Sequence, residues 1–587
     1  MQLYPGPLPT GVFIATTDTG PRVFVDDDII VIVDGAPRWI DSTEALEPAN
    51  GETGRVLARS FRDQGAALFE RLTGTFSLVF LKDHGRQCVF GIDRMGVGAL
   101  AYRKPENHRY AIGSSALPVA RAPFATPRIS YQSLFDYAFF HIIPSPRTIF
   151  DSVSKLQQAH YARFDSGRVT TERYWLPDFR SGNGRDAATP TEQGLFDCID
   201  SAVRRSSEQA GSVGCFLSGG LDSSTVAGTL ARQDTERSVD AYTIGFAQEG
   251  YDEMEFARAA ASQFKLDLHE HYIQIEDIAE TMDKITTAFD EPFGNSSAVP
   301  SLFCAEAARR DGIDTLLAGD GGDELFGGND RYAKQKVFAL YDLIPSFIRK
   351  GFLEKTFRGD DWQFVLFRKT ASYVDQASRP MPDRMHSYNF MLRTGFDVVF
   401  TESFLDRVDA NHPSTLMQAE WDAAPTSSLL DRMLFLDWKF TLADNDLRKV
   451  SRTAQKAGIN VAYPLLDDEV VAFSNTLPPS EKVHRLRLRH FYRNALADFL
   501  PDLIINKEKH GFGLPVGEWV RKSPELQSKV YGALRALAGR GVLNESFVDD
   551  LITHHQNDHA AYYGNIVWVL SMLEQWLQTH AIDAEFV

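Results

Sequence analysis

The sequence predicts two domains of different class, α+β and α/β in one chain: an N-terminal β-sheet domain with short connections, then a parallel, doubly wound sheet with helical additions. Three observations predict it. Residues 12–125 read as short apolar or alternating runs ended by Gly, Asp or Asn. Residues 181–191, SGNGRDAATPT, have a linker's composition and no periodicity. Beyond them, strand and helix patterns alternate.

In the first part, RVFVDDDIIVIVDG, GTFSLVFLKD, RQCVFGIDRMG and RYAIGSSA each read as strands. The boundaries follow as a domain over 1–180, a linker over 181–191 and a domain over 192–587. In the second domain EQGLFDCIDSAVRRSS predicts an amphipathic helix, VGCFLSGG a buried strand and STVAGTLARQ a helix. VDAYTIGF predicts a strand, DEMEFARAAASQF a helix, and IDTLLAGDGGDELFGG a strand followed by a loop. Past Arg331 the chain reads as mostly helical and rich in aromatics, through AYYGNIVWVLSMLEQWLQTH near its end.

Composition narrows the function. The 587 residues carry a net charge of −18, which argues against broad attraction to nucleic acid or an anionic membrane, so any anionic ligand must be held by local donors. The Arg-rich stretch HRLRLRHFYR at 484–493 fits an amphipathic segment better than a nucleic-acid patch. Cys88, Cys198, Cys215 and Cys304 lie far apart, which fits a reducing compartment and argues against a cysteine zinc site. No signal-peptide pattern opens the chain and no long apolar run crosses it, so a cytoplasmic protein is expected.

The chemistry concentrates in CFLSGGLDSSTVAG, residues 215–228. A Gly- and Ser-rich turn between a parallel strand and a helix aims backbone N–H groups and the positive helix end at an anion, most naturally a phosphate. Gly219 and Gly220 let the backbone approach; Ser218, Ser223 and Ser224 add hydroxyls. No Gly-Lys pair makes it a Walker loop. A carboxylate beside phosphate is repulsive unless a divalent cation intervenes, so Asp222 implies Mg²⁺. The alternative is a tight turn that only caps a helix. A second loop, LLAGDGGDELFGG at 316–328, again places glycines and acids after an apolar strand, with Asp323 as a second carboxylate.

These residues carry a resemblance. SGGLDSS, TIGF, DEP at 290–292, AGDGGDELFGG, KVSRTAQKAGINVAYPLLD at 449–467 and KHGFGLP at 509–515 resemble the synthetase domain of the asparagine synthetase family, an N-type ATP pyrophosphatase. LTGTFSLVF, IDRMGVGALAYR and TIFDSVSKLQQAHYARF are similar to that family's N-terminal nucleophile-type glutaminase domain, a β-sandwich. The resemblance implies that a carboxylate attacks the α-phosphate of Mg-ATP, giving an acyl-adenylate and pyrophosphate, and that an amine then displaces AMP. It implies that Leu217, Ser218, Gly219, Gly220, Asp222, Ser223, Ser224, Gly319, Asp320 and Gly321 hold the nucleotide, with Ile244 and Gly245 receiving adenine. Asp222 and Asp323 would bind Mg²⁺, and Lys449 and Lys509 would face the developing charge. The proton acceptor is sought near Asp290 and Glu291.

The chain also departs from the family. Glutamine-hydrolysing members use an N-terminal Cys; here position 2 is Gln2 and the first cysteine is Cys88, inside an expected strand. The N-terminal domain is therefore expected to lack its nucleophile. Asn460 and Ala462 stand where asparagine synthetases carry Glu and Arg, which argues against aspartate as substrate. With no ammonia source the amine must come from the substrate, as in the lasso peptide cyclases, which join a peptide's N-terminal amine to an Asp or Glu side chain, or the β-lactam synthetases, which close a small β-amino acid. The lasso cyclases are the closer likeness. That reading implies a precursor peptide as substrate, with a leader peptidase and a leader-binding protein as partners. Phe338, Tyr341, Phe347, Phe352, Trp362 and Phe364 of the helical insert are either a peptide-pocket wall or ordinary core. Competing readings are asparagine synthesis from free ammonia, a degenerate nucleotide-binding interaction protein, and a metal site at His555 and His559 of HHQNDHA, against which stands a solvated helix end.

Overall fold

The structure is a computed structural model. It describes residues 2–3, 15–16, 22–40, 52–83, 85–106, 109–165, 167–179, 190–208, 210–234, 237–248, 251–349, 365–507, 514–581 and 584–587. All of the expected linker but residues 190 and 191 lies outside them.

The N-terminal strands are β1 (Arg22–Asp26), β2 (Ile29–Gly35), β3 (Phe76–Lys82), β4 (Gln87–Ile92), β5 (Ala101–Glu106), β6 (Arg109–Gly113), β7 (Val153–Lys155), β8 (His160–Asp165) and β9 (Arg168–Arg173). Six form an antiparallel sheet in the order β9-β8-β4-β3-β2-β1, and three form a second one in the order β6-β5-β7. Alternate residues go to opposite faces. Ile29, Val31 and Val33 of β2 join Leu78 and Phe80 of β3 against Leu57, Ala58 and Phe61 of helix α1 (Glu52–Gln64). On the other face Ile30, Val79 and Leu81 meet Tyr102 and Leu156 beside the smaller sheet. Burial on both faces explains why IIVIV and FSLVFL read as continuous apolar runs.

The C-terminal domain contains β10 (Val213–Phe216), β11 (Asp240–Phe246), β12 (Asp267–Ile273), β13 (Thr315–Leu317) and β14 (Asn460–Ala462), all parallel, in the order β12-β11-β10-β13-β14. Helices α2 (Glu192–Glu208), α3 (Leu221–Gln233) and α4 (Met254–Phe264) cover one face, where Cys215, Ala241 and Leu317 meet Leu195, Val226 and Ala257. Helix α5 (Ala298–Arg310) covers the other, where Tyr242, Ile244 and Leu316 join Val299 and Leu302 in a core shared with the long final helix. The strand order reverses between β10 and β13, and both glycine loops leave the carboxyl ends of those two strands.

Two strands of the C-terminal sheet were not in the sequence reading. LHEHYI lies in β12, and NVA of the segment expected to be helical is the edge strand β14. The stretch HRLRLRHFYR is not one amphipathic element: Val483–His484 pairs with Arg487–Leu488 as a hairpin, and a helix follows over His490–Ala495. Of the insert aromatics, Phe338 and Tyr341 are buried in a small cluster with Val374 and Ala377, Phe347 is exposed, and Phe352, Trp362 and Phe364 lie outside the described residues. His555 is fully buried and bonded to the Tyr531 hydroxyl at 2.8 Å, while His559 accepts from Tyr562 N–H as a helix cap. His555 is thus a core residue, while His554, Gln556, Asn557, Asp558 and His559 around it are exposed, the solvated helix end that the sequence reading favoured over a metal pair.

Polar contacts join the two domains. Arg38 pairs with Asp467 at 2.8 Å, Arg94 with Asp468 at 2.9 Å and Lys155 with Glu291 at 2.6 Å. At the end of the chain Glu585–Phe586 adds in parallel to Arg128–Ile129. No helix among the described residues is long and apolar enough to cross a membrane.

Candidate active site at the sheet switch point

The first glycine loop continues β10. Leu217 N–H still donates to Tyr242 O at 2.9 Å, and then the chain turns at Gly219, whose φ of +67° is left-handed. A Cβ there would stand 2.5 Å from Ala257 N at the start of α4, so both φ and packing demand glycine. Gly220 is the N-cap of α3 and no side chain caps it, so no capping group stands between the first-turn N–H groups and a ligand. Ser218 and Ser223 brace the turn: Ser218 N–H donates to Ser223 Oγ at 3.2 Å, and the two hydroxyls lie 3.1 Å apart. The Ser224 hydroxyl is fully buried with no hydrogen-bond partner among the described residues.

The second loop is pressed onto the first. A Cβ on Gly319 would lie 2.6 Å from Ser223 N, and one on Gly322 would collide with the Asp222 carboxylate. Gly321, at φ +103°, turns the chain into a short helix over Gly322–Phe326 that presents Asp323. The two carboxylates thus converge, although they come from loops on different strands. A single guanidinium, that of Arg489, reaches both: its Nη1 and Nη2 donate to Asp222 Oδ1 at 3.1 Å and Oδ2 at 2.8 Å, and Nη2 also donates to Asp323 Oδ1. Two carboxylates within one cation's reach, beside uncapped helix amides, are the donor set that a magnesium-bound phosphate requires.

Lys449 and Asp320 form the adjoining edge. Lys449 Nζ lies 2.8 Å from Asp446 and 3.9 Å from Asp320. Burial pulls the ammonium's pKa down, but Asp446 and Asp320 outweigh it and the net shift is upward, so the group stays charged. Burial pushes Asp320 up to about 6; Lys449 opposes that shift, and Asp446 and Asp222 add to it. Ala462 borders the second loop, since Ala318 N–H at its start donates to Ala462 O at 2.9 Å, whereas Asn460 pairs with Thr315 at the opposite end of β13. Ile244 is buried near the end of β11, and Gly245 next to it is packed by Tyr272 and Met254.

Asp290 and Glu291 sit elsewhere, on an interdomain cavity of about 70 Å³. Asp290 accepts from Ser115 Oγ at 2.9 Å and Ala116 N–H at 2.5 Å, with Arg452 at 3.4 Å; Glu291 accepts from Ile149 N–H at 2.8 Å and Lys155. Burial raises Asp290, but Arg452 and its donors outweigh it and the net shift is down; burial keeps Glu291 raised against Lys155. Lys509 lies outside the described residues.

Sequence reasoning missed Arg489. It belongs to the Arg-rich stretch that was noted and given no site, and its left-handed φ of 53° is invisible in sequence.

All four cysteines are described. Burial pushes Cys88 and Cys215 far up and Cys304 up to about 12, and it also raises Cys198, which nearby carboxylates raise further. None is an activated thiolate.

The sequence pattern of the asparagine synthase family matches residues 195–578, and that of the glutamine amidotransferase domain matches residues 49–175. The chain is 23% identical over 609 residues to a putative glutamine-hydrolysing asparagine synthetase of Mycobacterium tuberculosis strain H37Rv, covering 96% of this chain and 86% of that protein. It is 22% identical to asparagine synthetase 1 of Bacillus subtilis strain 168, covering 96% and 87%. A Gibberella zeae protein named amidase chry2 is 23% identical, covering 86% and 78%. The expected fold is thereby shown: an N-terminal amidotransferase-type domain followed by an asparagine synthase domain on a parallel sheet.

Proposed function

The chain belongs to the asparagine synthase family, ATP-dependent ligases that form a carbon–nitrogen bond with release of AMP and pyrophosphate, and we propose that it makes its amide within one substrate. In the specific form of this reading, a side-chain carboxylate of a precursor peptide is adenylated and then joined to that peptide's N-terminal amine, the isopeptide closure of a lasso peptide. The carrying observation is the convergence of Asp222, Asp323 and the uncapped start of α3 at the switch point.

The first-turn amides and the Ser218 hydroxyl are suited to hold the diphosphate as it departs, when the carboxylate oxygen bonds to the α-phosphorus and the bond to the β-phosphate oxygen breaks. Asp222 and Asp323 would hold Mg²⁺, which supplies charge neutralisation at the phosphates. Lys449, kept charged by its carboxylates, faces the charge that grows in both steps. In the second step the amine nitrogen bonds to the acyl carbon, AMP leaves with the electron pair, and the amine proton needs an acceptor. Asp320, held at about 6, suits that task better than the carboxylates engaged at the domain interface.

That the amine belongs to the substrate is supported by the state of the four cysteines, whose thiols burial holds protonated. Asn460 and Ala462 stand in the sequence where the aspartate-using relatives carry an acid and a base, and Ala462 adjoins the second loop. The reading implies a leader-binding protein and a leader peptidase as partners and a cytoplasmic setting for the reaction. Its test is pyrophosphate and AMP release from Mg-ATP by the purified protein, offered in turn a precursor peptide encoded nearby, a small β-amino acid, and aspartate with ammonia, with product masses recorded. Peptide-dependent release with loss of one water from the peptide supports closure; release with the β-amino acid alone moves the reading to β-lactam formation. Release only with aspartate and ammonia overturns it.

A further inference from the structure

Arg489 is placed as no surface arginine is. Its side chain is 8% exposed, both its terminal nitrogens bind Asp222, and one of them also binds Asp323. The backbone holds it there from outside the two loops: the residue follows the hairpin of Val483–His484 and Arg487–Leu488, and its N–H donates to Gly327 O at 3.3 Å. Its own carbonyl accepts from Arg493 N–H at 2.8 Å, which starts the next helix. A left-handed φ on a non-glycine residue persists only where its surroundings fix it.

The contacts bear on metal entry. A divalent ion at this site needs carboxylate oxygens, yet both oxygens of Asp222 and Oδ1 of Asp323 already accept from the guanidinium. Ion and guanidinium are both cations, and in a buried site their repulsion is poorly screened. Moving the guanidinium away needs an anion to receive it, because an unpaired buried charge is costly. A phosphate, like a carboxylate, offers two oxygens to the guanidinium fork.

We propose that Arg489 is the resident cation of this site: it ties Asp222 to Asp323 and excludes a divalent ion until nucleotide phosphate draws the guanidinium away, so that metal enters with nucleotide and not before it. This rests on the nucleotide-site reading above. It makes Arg489 a positioning residue whose effect is on the order of binding.

The test is a titration of the full chain with Mn²⁺, followed by electron paramagnetic resonance, with and without a non-hydrolysable ATP analogue. Wild type, R489Q, R489K and D222N are compared, each checked for folding by circular dichroism. Wild type is expected to bind Mn²⁺ about tenfold or more weakly without the analogue than with it, and R489Q to bind Mn²⁺ without the analogue about tenfold more tightly than wild type. Should R489Q not fold, R489K decides, since an ammonium keeps the charge but cannot span both carboxylates; it is expected to bind about threefold or more tightly. Equal Mn²⁺ affinity of wild type and the folded variant without the analogue overturns the proposal. Failure of the nucleotide-site reading looks different: the analogue then raises no Mn²⁺ affinity in wild type, and D222N matches wild type.

Discussion

The Lys449 ammonium lies 3.9 Å from the Asp320 carboxylate and 2.8 Å from that of Asp446. One cation thus serves two acids, and burial raises Asp320 to about 6.

A raised carboxyl has a definite sign in stability. Its neutral form is favoured by folding, so its contribution is fully present below the ordinary value of 3.8 and is lost as pH rises through about 6. Asp320→Asn, which stays neutral, is expected to be more stable than wild type at pH 7 without nucleotide, by on the order of 2 kcal/mol, with the difference shrinking toward pH 4. Urea unfolding at several pH values checks it; a difference that does not change with pH contradicts the assignment.

Gly219 and Gly532 form a matched pair of alanine substitutions. At Gly219 a Cβ meets Ala257 N at 2.5 Å on a left-handed backbone, whereas at Gly532, inside the helix Pro524–Gly539, it meets nothing within 4 Å. Gly219→Ala is expected to lower Tm and weaken nucleotide binding about tenfold, because it pries the loop from α4. Gly532→Ala should leave binding unchanged and add about 0.5 to 1 kcal/mol of stability. Calorimetric titration and thermal melts of the two variants separate these outcomes.

The domain interface makes a third prediction. Lys155→Met leaves Glu291 buried without its cation, and about 2 to 4 kcal/mol should be lost, read by urea unfolding. The double variant Lys155→Met with Glu291→Gln should recover part of that loss, since the unpaired charge is then gone.

What the sequence made legible was local. The turn from β10 into α3 is encoded by neighbours in the chain: an apolar run, two glycines for a tight approach, and an acid in the first turn of the helix. The same holds for the second loop, and the two together give the switch point without any structure. Arg489 was not legible because its partner Asp222 is 267 residues away and nothing in RLRHF marks which arginine turns inward. Strand β14 has only three residues, and it becomes a strand by pairing with Thr315–Leu317. The placement of Asp290 and Glu291 likewise depends on partners from the other domain, Ser115, Ile149 and Lys155, that no spacing connects to them.

The central claim is that a substrate carboxylate attacks the α-phosphate of ATP at this site. Its most direct measurement uses substrate labelled with ¹⁸O in the carboxylate and reads the mass of the nucleotide product. The account predicts AMP carrying one ¹⁸O, with unlabelled pyrophosphate, and no such AMP from Asp222→Ala. Formation of ADP with the label in inorganic phosphate would contradict it, since attack would then be at the γ-phosphate.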